Sequence, residues 1–109
     1  MADEIQFYED LMLIFRRYLS GQNEIVESID DFGKSFIVTA TSWQFELPDL
    51  YQFCRQTEPE LAQLEYRQFK QILYQNPTNQ LLSSCGGGFE LVEYRGHLDH
   101  NCYALTVTN

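Results

Sequence analysis

The stretch EIVESIDDFGKSFIVTAT, residues 24–41, decides the fold, because whatever it forms fixes what the elements on either side must cover. From Asn23 onward the apolar side chains change from helical to alternating spacing. Residues 24–29 and 34–41 read as two strands rich in branched side chains, joined by Asp30-Asp31-Phe32-Gly33, whose composition suits a tight turn. In residues 42–47, Trp43 and Phe45 alternate with Gln44 and Glu46. That segment extends the second strand or starts a third, and the pattern leaves both open.

Before this stretch lies an amphipathic helix. Asp3 can cap it with Gln6 three residues on, and Gly21 follows as the residue that turns the chain out in a left-handed conformation. Ile5, Tyr8, Met12, Phe15 and Leu19 recur at helical spacing, and Phe7, Leu11, Ile14 and Tyr18 widen the stripe. Gln6, Glu9, Asp10, Arg16, Arg17 and Ser20 are left for solvent, with Leu13 among them as an exposed apolar residue.

After the stretch, Pro48 fits the first turn of a helix whose apolar edge is Leu50, Phe53 and Cys54 and which reaches Gln56. Thr57-Glu58-Pro59-Glu60 has the spacing of a capping box and predicts a second helix running to about Gln75. Leu61, Ala62, Tyr66, Phe69, Ile72 and Leu73 form its apolar side, Gln63, Glu65, Arg67, Gln71 and Gln75 its solvated side, and Asn76-Pro77 its stop. Residues 78–84 suggest one helical turn around Leu81 and Leu82. Gly86-Gly87-Gly88 looks like a mobile connector before two alternating strands, 89–95 and 102–108, in which Tyr103, Leu105 and Val107 share one face and Cys102, Ala104 and Thr106 the other.

These elements predict an α+β fold: an antiparallel sheet of four to five strands with an N-terminal helix and one or two central helices packed on one face. At 109 residues the chain has the size of a single compact domain, 1–109, and 15% aromatic residues supply enough burial to argue against disorder. No apolar run is long enough to span a bilayer, and the first ten residues carry four carboxylates instead of a basic leader, so a cytoplasmic protein without membrane contact is expected. Cys54, Cys85 and Cys102 cannot all pair with one another and read as free thiols of a reducing compartment.

The formal net charge is -9, and residues 1–31 hold eight acidic against two basic side chains. Direct nucleic-acid binding is disfavoured, since neutralising phosphates requires a basic stripe that Arg16, Arg17, Lys34, Arg55, Arg67, Lys70 and Arg95 do not form. A basic protein surface, by contrast, would be steered toward the acidic end.

Reactive side chains concentrate between residues 85 and 102. His97, Asp99, His100 and Cys102 are metal donors of the types that suit zinc, although no second ligand pair stands at a recognised spacing. Cys85 beside the three glycines would be a nucleophile if His97 or His100 lowered its pKa with Asp99 orienting the ring, the glycine backbone offering oxyanion donors. Adjacent carboxylates such as Asp30 and Asp31 lack the separated environments that acid and base catalysis needs.

The expected function is that of a small acidic, non-catalytic protein-interaction module of adaptor, chaperone or inhibitor type, binding a basic or amphipathic protein surface without a cofactor. Glu9, Asp10, Asp30 and Asp31 would steer, and Leu13, Tyr51 and Tyr74 would anchor. The alternative is a small Cys/His-dependent enzyme (Cys85, His97, Asp99, His100) or a metal-binding protein (His97, Asp99, His100, Cys102). A homodimer through an edge strand near Val107 or through the N-terminal helix is a third reading.

Overall fold

The computed structural model describes residues 4–75, 78–83, 86–96 and 100–107; the expected cap at Asp3 and helix stop at Asn76-Pro77 lie outside the described residues. The elements are α1 (Glu4–Leu19), α2 (Asn23–Phe32), β1 (Ile37–Val38), β2 (Ser42–Phe45), α3 (Leu47–Thr57), a 3-10 turn (Pro59–Leu61), α4 (Tyr66–Gln75), α5 (Thr78–Ser83), β3 (Gly87–Glu93) and β4 (Cys102–Val107). The strands form one antiparallel sheet in the order β1-β2-β4-β3. The α+β class and the four-stranded antiparallel sheet are as the sequence predicts.

Register explains the one-sided core. Val38 lies opposite Trp43, Trp43 opposite Leu105 and Leu105 opposite Phe89, while Phe45 lies opposite Tyr103, so these side chains share a face. All of them join the core cluster with the helices, whereas Ser42, Gln44, Thr106 and Glu90 on the other face do not. Trp43 is the hub. Its ring lies 5.4 to 5.7 Å from those of Phe36, Phe45, Phe53 and Tyr18, which is the range in which tilted aromatic pairs attract. Its buried Nε1 has no hydrogen-bond partner among the described residues.

The α1 helix ends as expected. Gly21 has φ +73°, its N–H donates to Tyr18 O, and the Gln22 N–H donates to Arg17 O, the paired bonds of a Schellman motif. At about 100° per residue, the buried arc runs from Ile14 round to Met12. Ile5, expected on this stripe, sits just past one edge of the arc at the helix start and is exposed. Asp10, expected in solvent, falls just short of the other edge, beside Ile14 and Phe7, and is buried.

The hairpin expected at residues 24–41 is corrected. Residues 23–32 form α2, and Asp30-Asp31-Phe32-Gly33 is a helix end: the Gly33 N–H donates to Ile29 O at φ +68°. The spacing of Ile25, Ile29 and Phe32 accounts for this, because a helix buries Ile25 and Ile29 while turning Glu27 outward; a strand would place Glu27 on the same face as both isoleucines. Lys34, expected in a strand, adopts φ +53°, and Ser35 ties the following loop to α3 by donating its N–H to Asp49 Oδ2 and accepting the Glu46 N–H at Oγ. Only Ile37–Val38 of the second expected strand pairs, and residues 42–45 form a separate strand, β2.

The single helix expected from Thr57 to Gln75 is also corrected. Thr57 closes α3, a 3-10 turn follows, and α4 begins only at Tyr66. Tyr51 donates its hydroxyl to Leu64 O, and Arg55 donates to Ala62 O at 2.7 Å. In a continuous helix those two carbonyls would accept from the N–H groups of residues 68 and 66, so α3 side chains replace the intrahelical bonds there. Gln68 then caps the new start by accepting the Glu65 N–H at 3.1 Å.

Pro48 occupies the first turn of α3, as expected. The helical turn suggested within residues 78–84 is α5, and the structure adds that it buries Leu82 and packs beside β3. Of the three glycines read as a connector, Gly86 lies in a turn, and Gly87 and Gly88 open β3, paired with Val107 and Thr106. A Cβ at Gly87 would overlap a Leu19 methyl and lie 2.8 Å from Thr106 O, so α1 packs where a side chain would stand. The strand near Val107 is not the free edge that the homodimer reading needs, because β4 lies between β2 and β3.

Candidate functional site

Once 23–32 is a helix, its charges acquire an arrangement. Glu24, Glu27, Ser28 and Asp31 stand at i, i+3, i+4 and i+7, within about 100° of arc and along roughly 10 Å of helix axis. All four are exposed, on the side opposite Ile25 and Ile29. Among the described residues none of the α2 carboxylates forms an ion pair, whereas Arg95 pairs with both Glu93 and Glu46. Asp30 and Asp31 lie in the last turn of α2, where the helix dipole is negative, and that turn holds no basic residue. Both aspartates were expected partner-binding residues. Glu24 and Glu27 were missed because alternating spacing hides a helical stripe.

Beside the stripe, α2 and α3 enclose an open groove of about 470 Å³ lined by Ser28, Asp31, Phe32, Phe53, Gln56 and Thr57. Each helix contributes residues at i, i+3 and i+4. Phe32 and Phe53 meet edge to face at 5.5 Å, and Phe36 packs on both at 4.9 and 5.5 Å, which fixes the aromatic floor against the Trp43 core. The groove lies at the C-terminal ends of both helices. One capping N–H serves each end, Gly33 to Ile29 O and Glu58 to Cys54 O, and helix ends concentrate partial negative charge on the remaining carbonyls. No basic side chain lines it. The nearby Lys34 is held aside, with its Nζ 3.0 Å from Gln52 Oε1 and 5.4 Å from the Phe32 ring centroid.

The other expected contact residues lie apart from this face. Glu9 and Leu13 are on the exposed side of α1, Leu13 at 41% exposure. Asp10, expected to steer a partner, is only 8% exposed: one carboxylate oxygen accepts from Gln6 Nε2 at 3.0 Å, and the other is buried without a partner among the described residues. Tyr51 is half-buried, with its hydroxyl bonded to Leu64 O, its ring against Tyr66 and Phe69, and the Arg55 guanidinium 5.2 Å above it, so it holds α3 to α4. Tyr74 projects from α4 at 60% exposure.

In the 85–102 region, Cys85, His97 and Asp99 lie outside the described residues. His100 is exposed in the turn before β4, and Cys102 starts β4 with its Sγ 3.9 Å from Gln44 Oε1. Among the described residues no three His, Cys, Asp or Glu side chains gather as metal ligands would. The described chemistry of this hairpin is structural. Buried Asn101 accepts the Arg95 N–H at 2.7 Å and donates to the Tyr103 hydroxyl at 3.3 Å. Arg95 pairs with Glu93 at 2.9 Å, and that hydrogen bond, with the charge behind it, holds the Glu93 carboxyl below its usual range. Burial pushes the Cys54 thiol far above its ordinary range, which keeps it protonated and unreactive.

Among the described residues no helix is long and apolar enough to cross a membrane. Comparison of the chain with protein-family models, curated proteins and solved structures gives no match.

Proposed function

We propose that this protein is a small acidic, non-catalytic interaction module, of adaptor, chaperone or inhibitor type, acting in the cytoplasm on another protein that presents a basic or amphipathic surface. The observation that carries this reading is the outer face of α2, where Glu24, Glu27 and Asp31 line up in solvent without an ion pair to any described residue. Placing Asp30 and Asp31 at the negative end of a helix opposes folding, so their presence is better explained by what they attract than by what they stabilise. Steering by such a face acts over roughly a Debye length and weakens with salt.

The test uses octalysine as a cationic probe at low salt. Glu24→Gln/Glu27→Gln/Asp31→Asn is compared with Glu58→Gln/Glu60→Gln/Glu65→Gln, which removes the same formal charge elsewhere. Three exposed charge contacts are together worth about a factor of ten, so the α2 variant should lose about tenfold in affinity and the control under about twofold. Equal losses would mean that only net charge matters, and the α2 face would have no special part.

A further inference from the structure

We infer that the outer edge of β3 pairs with the same edge of a second copy of this chain. The inference is independent of the α2 face. β3 ends the sheet, with β4 its only partner strand among the described residues. Its far end carries three exposed apolar side chains, Leu91 at 51%, Val92 at 46% and Tyr94 at 71%. No proline or lysine guards residues 87–95, the usual means of blunting such an edge. Register shows which backbone groups face outward, because successive residues of an antiparallel pair turn their N–H and C=O to opposite sides. The Val107 N–H donates to Thr41 O, on the β2 side, so Thr106, Ala104 and Cys102 turn toward β3, where they face Gly88, Glu90 and Glu93. Leu91 and Tyr94 therefore turn their backbone groups to the outer edge. The Arg95 N–H, which donates to Asn101 Oδ1, points back toward β4 as this alternation requires.

The irregularity between Leu91 and Glu93 sets the side chains. Glu93 lies opposite Cys102, where regular pairing would put Val92. Leu91 and Tyr94 thus share the helix-covered face although they are three apart, while Glu90, Glu93 and Arg95 share the other. The 2.9 Å ion pair of Arg95 with Glu93 agrees with that placement. Run antiparallel about a two-fold axis between Val92 and Glu93, the segment complements itself. Leu91 meets Tyr94 of the partner subunit through two outward backbones, and Glu90 meets Arg95 of the partner subunit, each contact occurring twice. A basic extended segment from another protein would satisfy the same backbone groups but set a cation against Arg95, so the second copy is the better fit. The product is one continuous sheet with both helix layers on the same side.

Sedimentation velocity of the full chain, up to roughly 0.5 mM at physiological salt, tests the pairing. The expected result is a concentration-dependent dimer. Glu90→Arg and Arg95→Glu should each weaken it by about tenfold, since either change makes two contacts per dimer repulsive. The two substitutions shift net charge in opposite directions, so a weakening by both cannot come from net charge. Glu90→Arg/Arg95→Glu should bring the dimer back to within about threefold of the parent. Leu91→Lys and, separately, Tyr94→Lys should leave only monomer; both side chains are exposed, so neither change touches the core. Amide hydrogen exchange at Leu91 and Tyr94 should slow as protein concentration rises. A parent that stays monomeric over the whole range, a dimer that both lysine variants leave intact, or a charge swap no better than its single changes, would overturn the inference.

Discussion

The two faces of α2 are built for opposite ends. Ile25 and Ile29 are buried on the inner face, and Phe32 joins the ring system that leads through Phe36 and Phe53 to Trp43. Burying such side chains is worth about 1.5 to 3 kcal/mol each. The outer face holds Glu24, Glu27 and Asp31 in water, contributes no described ion pair, and ends in two aspartates at the unfavourable pole of the helix. The difference separates what folds this helix from what it presents: inner substitutions should change stability, and outer ones should change binding.

Ile29→Ala is the strongest way to break the comparison. The side chain is fully buried, so the variant should lose about 2 to 5 kcal/mol in urea denaturation, while Glu27→Ala should stay within about 0.5 kcal/mol of the parent. Similar losses at both sites would erase the distinction. Gly33→Ala comes next. It tests whether the end of α2 is set by the backbone, because Gly33 has φ +68° and ψ -123°, and a Cβ there would meet no heavy atom within 4 Å, leaving strain as its only penalty. The expected cost is about 1 to 3 kcal/mol in the same denaturation.

Tyr18→Phe should cost about 1 kcal/mol, since the Tyr18 hydroxyl donates to Thr39 O at 3.0 Å and ties α1 to the β1–β2 turn. Burial pushes the Tyr18 pKa up to about 12 from 10.0. The folded state therefore keeps its proton where the unfolded state loses it, and the Tyr18 contribution is complete below about pH 10 and disappears as pH rises toward 12. Thermal melts across that window should fall more steeply for the parent than for Tyr18→Phe. Cys54, whose thiol is also raised by burial, adds a loss of the same sign to both proteins from about pH 9 upward.

Much of the architecture was legible in the sequence because its signals are local. Gly21 ends α1, Pro48 starts α3, and the alternation around Leu105 forms β4. The α2 helix was not, because Ile25, Val26 and Ile29 have strand propensity and Asp-Asp-Phe-Gly has turn composition, while burial against a core assembled from distant segments decides the outcome. The break before α4 depends on Tyr51 and Arg55 reaching two carbonyls, which no pattern within residues 57–75 encodes. The candidate site was half legible for the same reason. Asp30 and Asp31 were visible as charges, but the stripe through Glu24 and Glu27 and the groove against Phe53, Gln56 and Thr57 exist only when α2 is helical.

The most direct test is at the acidic end of α2. Asp30→Asn/Asp31→Asn should be measured in one sample for stability, by chemical denaturation at low salt, and for octalysine affinity. Relieving two charges at the negative helix end should raise stability by about 0.3 to 1 kcal/mol per site, while octalysine should bind several-fold more weakly. Opposite signs would show that the acidic end of α2 is kept at the expense of the fold; a loss of stability, or unchanged binding, would contradict it.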